Sequence, residues 1–300
     1  MNHYPSNVKE KLNSIILSMA EHHWLFSKNP GHDFTRQHLG KLSFYDTMRL
    51  IISMGKGSTN DEIMDYFDLD PDLIPSQSAF CQRRRQISLS AFEYLFSEFS
   101  SSFPSTTDKF KDHCILACDG CHVVYATNSD IIEDYNKPRL IDYKGYNHMH
   151  LNGFVDVISK AFLDVVIQPG QQPDEREALH SMLDHFTPDD PQKYIITADR
   201  GYESYDLLFH CELKNLGYVF RVKSPSSPKS ILSYYASEFP DDLEEFDVTI
   251  KRFFTDKATN IMKSQSDVYR YINPSKNTPH FYELLRKKPQ SSLFPAVSRC

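Results

Sequence analysis

The chain has 300 residues, 40% hydrophobic and 24% charged, the balance of a folded globular protein with room for two domains. The net charge of −7 argues against a simple electrostatic nucleic-acid binder, and no window approaches about 18 continuous apolar residues or reads as a secretory leader. The sequence therefore reads as soluble and cytoplasmic, with no membrane partner and with six scattered cysteines kept as thiols.

Residues 1–100 read as helical. Val8, Leu12, Ile15, Ile16 and Met19 share one helical face. Ser43 with Asp46, and Thr59 with Glu62, have capping-box spacing ahead of apolar runs. Ser76 is placed to cap a helix through Ile87, and Ser88 to cap another carrying Ala91, Phe92, Leu95, Phe96 and Phe99. "SSSFPSTTD" then reads as a linker.

At Cys114 the pattern changes. "CILAC" is a buried-strand candidate ending at Asp119-Gly120, with "HVVYA" as a possible extension. "HMHLNGFVDVI" and "AFLDVVIQ" around Ser159-Lys160 suggest a hairpin. A helix follows, with Pro173 at its first position, Asp174 and Glu175 in its first turn, and Leu179, Met182, Leu183 and Phe186 as its apolar stripe. Next come the strand "YIITA", a helix over 204–216 ended by Gly217 with positive φ, and the strand "YVFRV". This order predicts a mixed sheet with helices on its faces. Beyond Pro225, "FDVTIKRFF", "DVYRYI" and "HFYEL" read as strands, before a patternless basic tail. Net charge is −2 over 1–112, −12 over 113–249 and +7 over 250–300, so the middle is an acidic pool able to hold a cation.

Asp119 and Asp199 each end an apolar strand, and a glycine follows each within two residues. Asp-Gly turns are one reading. The other is a pair of hard oxygen ligands at strand carboxyl ends, where two divalent ions ~4 Å apart can drive phosphodiester chemistry. Two further groups invite metal readings. Cys118-x-x-Cys121 has no second pair, and a continuing strand would put its thiols on opposite faces. His148 and His150 share a strand face, but with no third ligand evident they read as partly buried strand residues.

"ILACDG" followed by "ITADRGYES" resembles the first two catalytic segments of bacterial DDE-type insertion-sequence transposases, more narrowly the insertion-sequence-four family. "PSQSAFCQRRRQI", "YVFRVK" and the β-rich stretch after Pro225 extend the likeness over roughly residues 35–284. The resemblance implies a helical, DNA-binding N-terminal domain (1–106) and a ribonuclease H-like core (107–224) of mixed α/β type. A partial β-rich insertion (225–284) and an aberrant tail (285–300) would follow. It also implies a Mg²⁺- or Mn²⁺-dependent enzyme that cuts and rejoins DNA at insertion-sequence ends. Such an enzyme would be cytoplasmic and nucleoid-associated, with a homo-oligomer on DNA as a further expectation. Asp119 and Asp199 would be its first two metal-binding carboxylates.

Consecutive Arg83, Arg84 and Arg85 fan across about 200° of a helix, so at least one must face out toward phosphates or solvent. Arg200, Arg221 and Lys223 lie near the acids, where backbone contacts to DNA and ion pairs within the acidic pool are equally good readings. The family's third acid lies in a Y-x-x-R-x-x-x-E-x-x-x-x-x-x-K pattern, which this sequence does not contain. Glu283 lacks the required Tyr and Arg, and the expectation is a truncated chain with little activity alone. Two other functions fit the residues: a non-catalytic regulator binding DNA or full-length transposase, and a metal-dependent nuclease with a different third ligand.

Overall fold

A computed structural model describes residues 4–35, 41–102, 109–138, 144–233, 253–255 and 269–271. Two compact units divide the chain, Met1–Pro104 and Ser105–Cys300.

The first unit is helical: α1 (Tyr4–Glu21), α2 (Phe44–Ser53), α3 (Thr59–Tyr66), α4 (Gln77–Gln86) and α5 (Leu89–Ser101). Ile15, Ile16 and Met19 of α1 pack with Phe44 and Met48 of α2 and with Ala91 and Leu95 of α5. A second cluster, Leu42, Leu50, Ile63 and Phe80, joins α2, α3 and α4. Ser43 closes a full capping box with Asp46. The cap of α3 is Ser58 with Asp61, one residue before the expected Thr59 and Glu62. Glu62 is engaged elsewhere, accepting the amides of Gly55 and Gly57. Ser76 caps α4 as expected, whereas the Ser88 hydroxyl makes no cap bond to α5 and meets Ser90 instead.

The second unit holds a six-stranded mixed sheet with helices, an α+β architecture consistent with a ribonuclease H-like fold. Its strands are β1 (Cys114–Tyr125), β2 (Tyr135–Asn136), β3 (Tyr146–Asp156), β4 (Phe162–Pro169), β5 (Tyr194–Ala198) and β6 (Gly217–Phe220). The order is β2-β3-β1-β5-β6, with β4 also pairing β3. β3 and β4 form the expected antiparallel hairpin, while β1, β5 and β6 run parallel. Parallel neighbours need crossovers, here supplied by α6 (Glu175–His185) and α7 (Tyr205–Leu213). Leu116 and Cys118 of β1, Phe154 of β3 and Ile196 of β5 pack on Leu179, Met182 and Leu183 of α6. Each of those three helix side chains is fully buried and contributes about 1.5–3 kcal/mol.

Three boundaries differ from expectation. β1 does not end at Asp119 but continues through Tyr125, because β3 pairs with it from Leu116 to Tyr125. Pro173 precedes α6 rather than starting it; Asp174 is the cap, accepting from the amides of Arg176 and Glu177. The turn after α7 takes its positive φ (54°) at Asn215, a residue tolerant of that region, and Gly217 begins β6. β2 had no periodicity to reveal it. Of the strands expected beyond Pro225, β7 (Phe253–Thr255) and β8 (Tyr269–Tyr271) pair in a separate sheet. "HFYEL", Glu283 and the tail lie outside the described residues.

Candidate active site

The parallel ladder between β1 and β5 ends at the pair Cys118–Ala198. Asp119 and Asp199 are the next residues on the two strands. Neighbouring strands lie about 4.8 Å apart, so the aspartates are close at the backbone although 80 positions separate them in sequence. Beyond this step β1 continues against β3 alone, with Asp119 opposite Gly153, while the chain leaves β5 in a turn. Asp199 makes that turn: its Oδ1 accepts the Gly201 amide at 2.6 Å and its carbonyl accepts the Tyr202 amide at 3.2 Å. Turn residue and strand-end acid are thus compatible descriptions of Asp199. Asp119 Oδ1 accepts the amide of Gly120 at 2.9 Å. Both aspartates are exposed, and among the described residues no hydrogen bond engages the second oxygen of either.

A third carboxylate lies close by. A Cβ built on Gly120 would meet His150 Nε2 first and would lie 2.9 Å from Glu175 Oε1 and 3.0 Å from Asn152 Oδ1, and one on Gly201 would lie 3.2 Å from Glu175 Oε2 and 3.0 Å from Asp199 Oδ1. Glu175, the first residue of α6, therefore spans the two segments that carry the aspartates. In the sequence Glu175 reads only as a favourable first-turn acid. The available signal was the pair of glycines following the two aspartates, since each leaves open the space that a side-chain Cβ would fill.

Charge and burial meet behind this group. Burial pushes the Cys118 thiol up to about 12, and the nearby charges of Asp119 and Glu175 add to the rise. Tyr202, 1% exposed, has its hydroxyl pushed upward by burial first and then by Cys118, Glu175 and Asp119. Cys118 is buried and Cys121 exposed, as a continuing strand requires, so the two thiols do not form one site. His122 pairs directly with His150 across the β1–β3 ladder, and its ring lies 4.7 Å from His148 and 4.8 Å from His150. The neighbour missing from the sequence reading of His148 and His150 was this cross-strand partner. Even so, among the described residues no three His, Cys, Asp or Glu side chains stand as a finished metal site. The aspartates and Glu175 offer only oxygen donors, which suits a hard cation such as Mg²⁺ or Mn²⁺ better than a thiolate- or imidazole-seeking one.

The basic residues separate into two kinds. Lys223 donates its ammonium to Glu203, at 3.1 Å, and to the Arg200 carbonyl, at 2.9 Å. Glu203 is buried and also accepts the amides of Lys223 and Ile231. Burial alone would push its carboxyl upward, but those amides and the ammonium outweigh it and leave it lowered. Arg200 and Arg221 are exposed. On α4, Arg83 is half-buried over Phe34 and bonds Gln86, whereas Arg84 and Arg85 are exposed. Arg83, Lys41 and His32 also line a hollow of about 840 Å³ in the first unit, with no Asp or Glu among its described lining residues. No helix of the described residues is long and apolar enough to cross a membrane.

No curated protein matches this sequence. A family model described as a transposase DDE domain matches residues 110–299, from just before β1 to beyond Leu284, where the sequence reading had placed the end of the likeness.

Proposed function

This chain belongs to the transposase DDE domain family, and from that premise we propose that it cuts and rejoins DNA at insertion-sequence ends, with Asp119 and Asp199 as divalent-cation ligands. Transposition and DNA recombination are the family's province, and DNA is its partner. The observation that carries the residue assignment is the ladder register: the two acids follow Cys118 and Ala198 at the carboxyl ends of adjacent parallel strands.

A bound Mg²⁺ or Mn²⁺ would supply charge stabilisation to phosphodiester oxygens and activate the attacking hydroxyl. The chain's own part is positional. Gly120 and Gly201 amides each hold one oxygen of the adjacent acid, leaving the other directed by the backbone rather than by a mobile partner. Exposed Arg200 and Arg221 are proposed to contact the scissile backbone, and Arg84 and Arg85 to hold flanking phosphates, with Arg83 and Lys223 as lesser contributors because both already have partners. Assembly of copies on DNA and a bacterial, nucleoid-associated setting within the insertion-sequence-four family belong to the same proposal. These residues contain no Y-x-x-R-x-x-x-E pattern, so strand transfer by them alone is proposed to be slow. Cation binding is therefore the property to measure first.

Titration of the full chain with Mn²⁺, followed by electron paramagnetic resonance, tests the assignment. Asp119→Asn and Asp199→Asn should each weaken binding at least about tenfold. Binding unchanged in both variants would overturn the assignment.

A further inference from the structure

We propose that the hollow in the helical unit is a phosphate site that holds a stretch of DNA backbone, with Lys41 as its main anchor and Arg83 as its second cation. The role rests on DNA being this chain's partner. The hollow has a volume of about 840 Å³, and Lys41, Arg83, His32, Ser76 and Gln82 are among its lining residues. That volume lies within the range of ligand sites, about 300–1,000 Å³.

Both cations are held in place without being neutralised. Lys41 Nζ donates to the Ile74 carbonyl at 3.1 Å and to the Pro71 carbonyl at 3.4 Å. Arg83 lies over the Phe34 ring, 5.1 Å from its centroid, and donates to Gln86 Oε1 at 3.2 Å. Every one of these partners is uncharged. Among the described residues no carboxylate pairs with Lys41 or Arg83. Asp33, beside the lining residue His32, is buried and turned into its own loop. It accepts from the Asn29 amide at 2.9 Å and from Asn29 Nδ2 at 3.2 Å, and its Oδ1 lies 3.4 Å from His32 Nδ1. His32 is thus the only one of the three basic lining groups with a described acid beside it.

The surroundings sharpen the contrast. Residues 1–112 carry a net charge of −2, yet two uncancelled cations face one acid-free wall. A cleft lined by one sign of charge focuses its field on the opposite sign. Ser76, the cap of α4, lies in the same lining, so the positive end of that helix adds to the field. The lining also favours phosphate over base. No Phe, Tyr or Trp is among its described residues, so an unstacked base finds no platform there. The walls present an ammonium, a guanidinium, the Ser76 hydroxyl and the Gln82 carboxamide, the donor types that contact DNA phosphates. Arg84 and Arg85, exposed on the same helix, continue the positive path.

The experiment is fluorescence anisotropy of a labelled duplex of about 30 bp with the full chain, from about 50 to 300 mM salt, because phosphate contacts report through salt dependence. Wild type is compared with K41Q, R83Q, Q82E and K56Q, each first checked for wild-type thermal melting. Losing one phosphate contact removes about one counterion from the salt slope, so K41Q should bind about tenfold more weakly at about 50 mM salt and show a shallower slope. R83Q should lose less, about threefold, because its guanidinium is half-buried. Q82E sets a negative charge in the same wall while leaving the Lys41 bonds intact, and should weaken binding at least as much as K41Q. K56Q, exposed outside the hollow, should bind like wild type. Wild-type affinity in both K41Q and Q82E would overturn the role of the hollow while leaving DNA as the partner. No binding of the duplex by wild type at about 50 mM salt would overturn DNA as the partner as well. Calorimetry with inorganic pyrophosphate distinguishes the source of the phosphate: pyrophosphate binding lost in K41Q, with duplex binding unchanged, would assign the hollow to a free phosphate compound and overturn the DNA role. Should K41Q melt early, Q82E decides.

Discussion

Removing the Glu203 carboxylate should be among the most costly single changes near the candidate site. Its side chain is fully buried and accepts three hydrogen bonds, from the Lys223 amide, the Lys223 ammonium and the Ile231 amide. Deleting one partner of a buried ion pair costs about 3–5 kcal/mol. Lys223 is 27% exposed, so its ammonium can partly rehydrate and the pair's share falls to the low end. The two amides add about 1 kcal/mol or more each where water does not reach them. Glu203→Ala should therefore lose about 5 kcal/mol, roughly a 10–20 °C fall in melting temperature for a unit of this size. Glu203→Gln, which keeps one acceptor oxygen, should lose about half as much.

The pH dependence supplies the sign. The Glu203 carboxyl is lowered in the folded chain, so its contribution is complete above the unfolded glutamate value of about 4.3. It declines below that value and vanishes as pH falls through the folded one. The gap between wild type and Glu203→Gln in thermal denaturation should hold from pH 7 to 5 and narrow below about 4.3. A loss under about 1 kcal/mol for Glu203→Ala at pH 7, or a gap independent of pH, would refute this reasoning.

Two other measurements probe what the structure changed. Ser58→Ala should cost about 1 kcal/mol by removing the cap of α3, while Thr59→Ala should cost under about 0.5 kcal/mol; equal losses by thermal melting would restore the cap read from sequence. Iodoacetamide at pH 8 followed by mass spectrometry should label exposed Cys121 while sparing Cys118, whose burial pushes its thiol up to about 12; denaturation should equalise them. Equal labelling of the folded chain would contradict a continuous β1.

The sequence made the strand and helix types legible where a single face is buried. "YIITA" became β5, and Leu179, Met182 and Leu183 became the buried stripe of α6, because burial imposes a period that composition records. Boundaries were less legible. Whether Ser58 or Thr59 caps α3, and whether Gly217 or Asn215 turns the chain, depends on competing hydrogen bonds that neighbouring residues can make equally well. β1 looked like two pieces because Asp119-Gly120 has strong local turn chemistry, which ten paired positions on β3 override.

The family, the mixed sheet and two candidate acids were therefore determined by sequence alone, through strand patterns and the short motifs around Asp119 and Asp199. Tertiary structure decided what stands together: the register that sets those acids side by side, the His122–His150 pair, and Glu175 between Gly120 and Gly201. Periodicity reports which side of an element is buried. It carries no information on which distant residues share a register, because that depends on strand order and on how a helix start is tied to neighbouring loops.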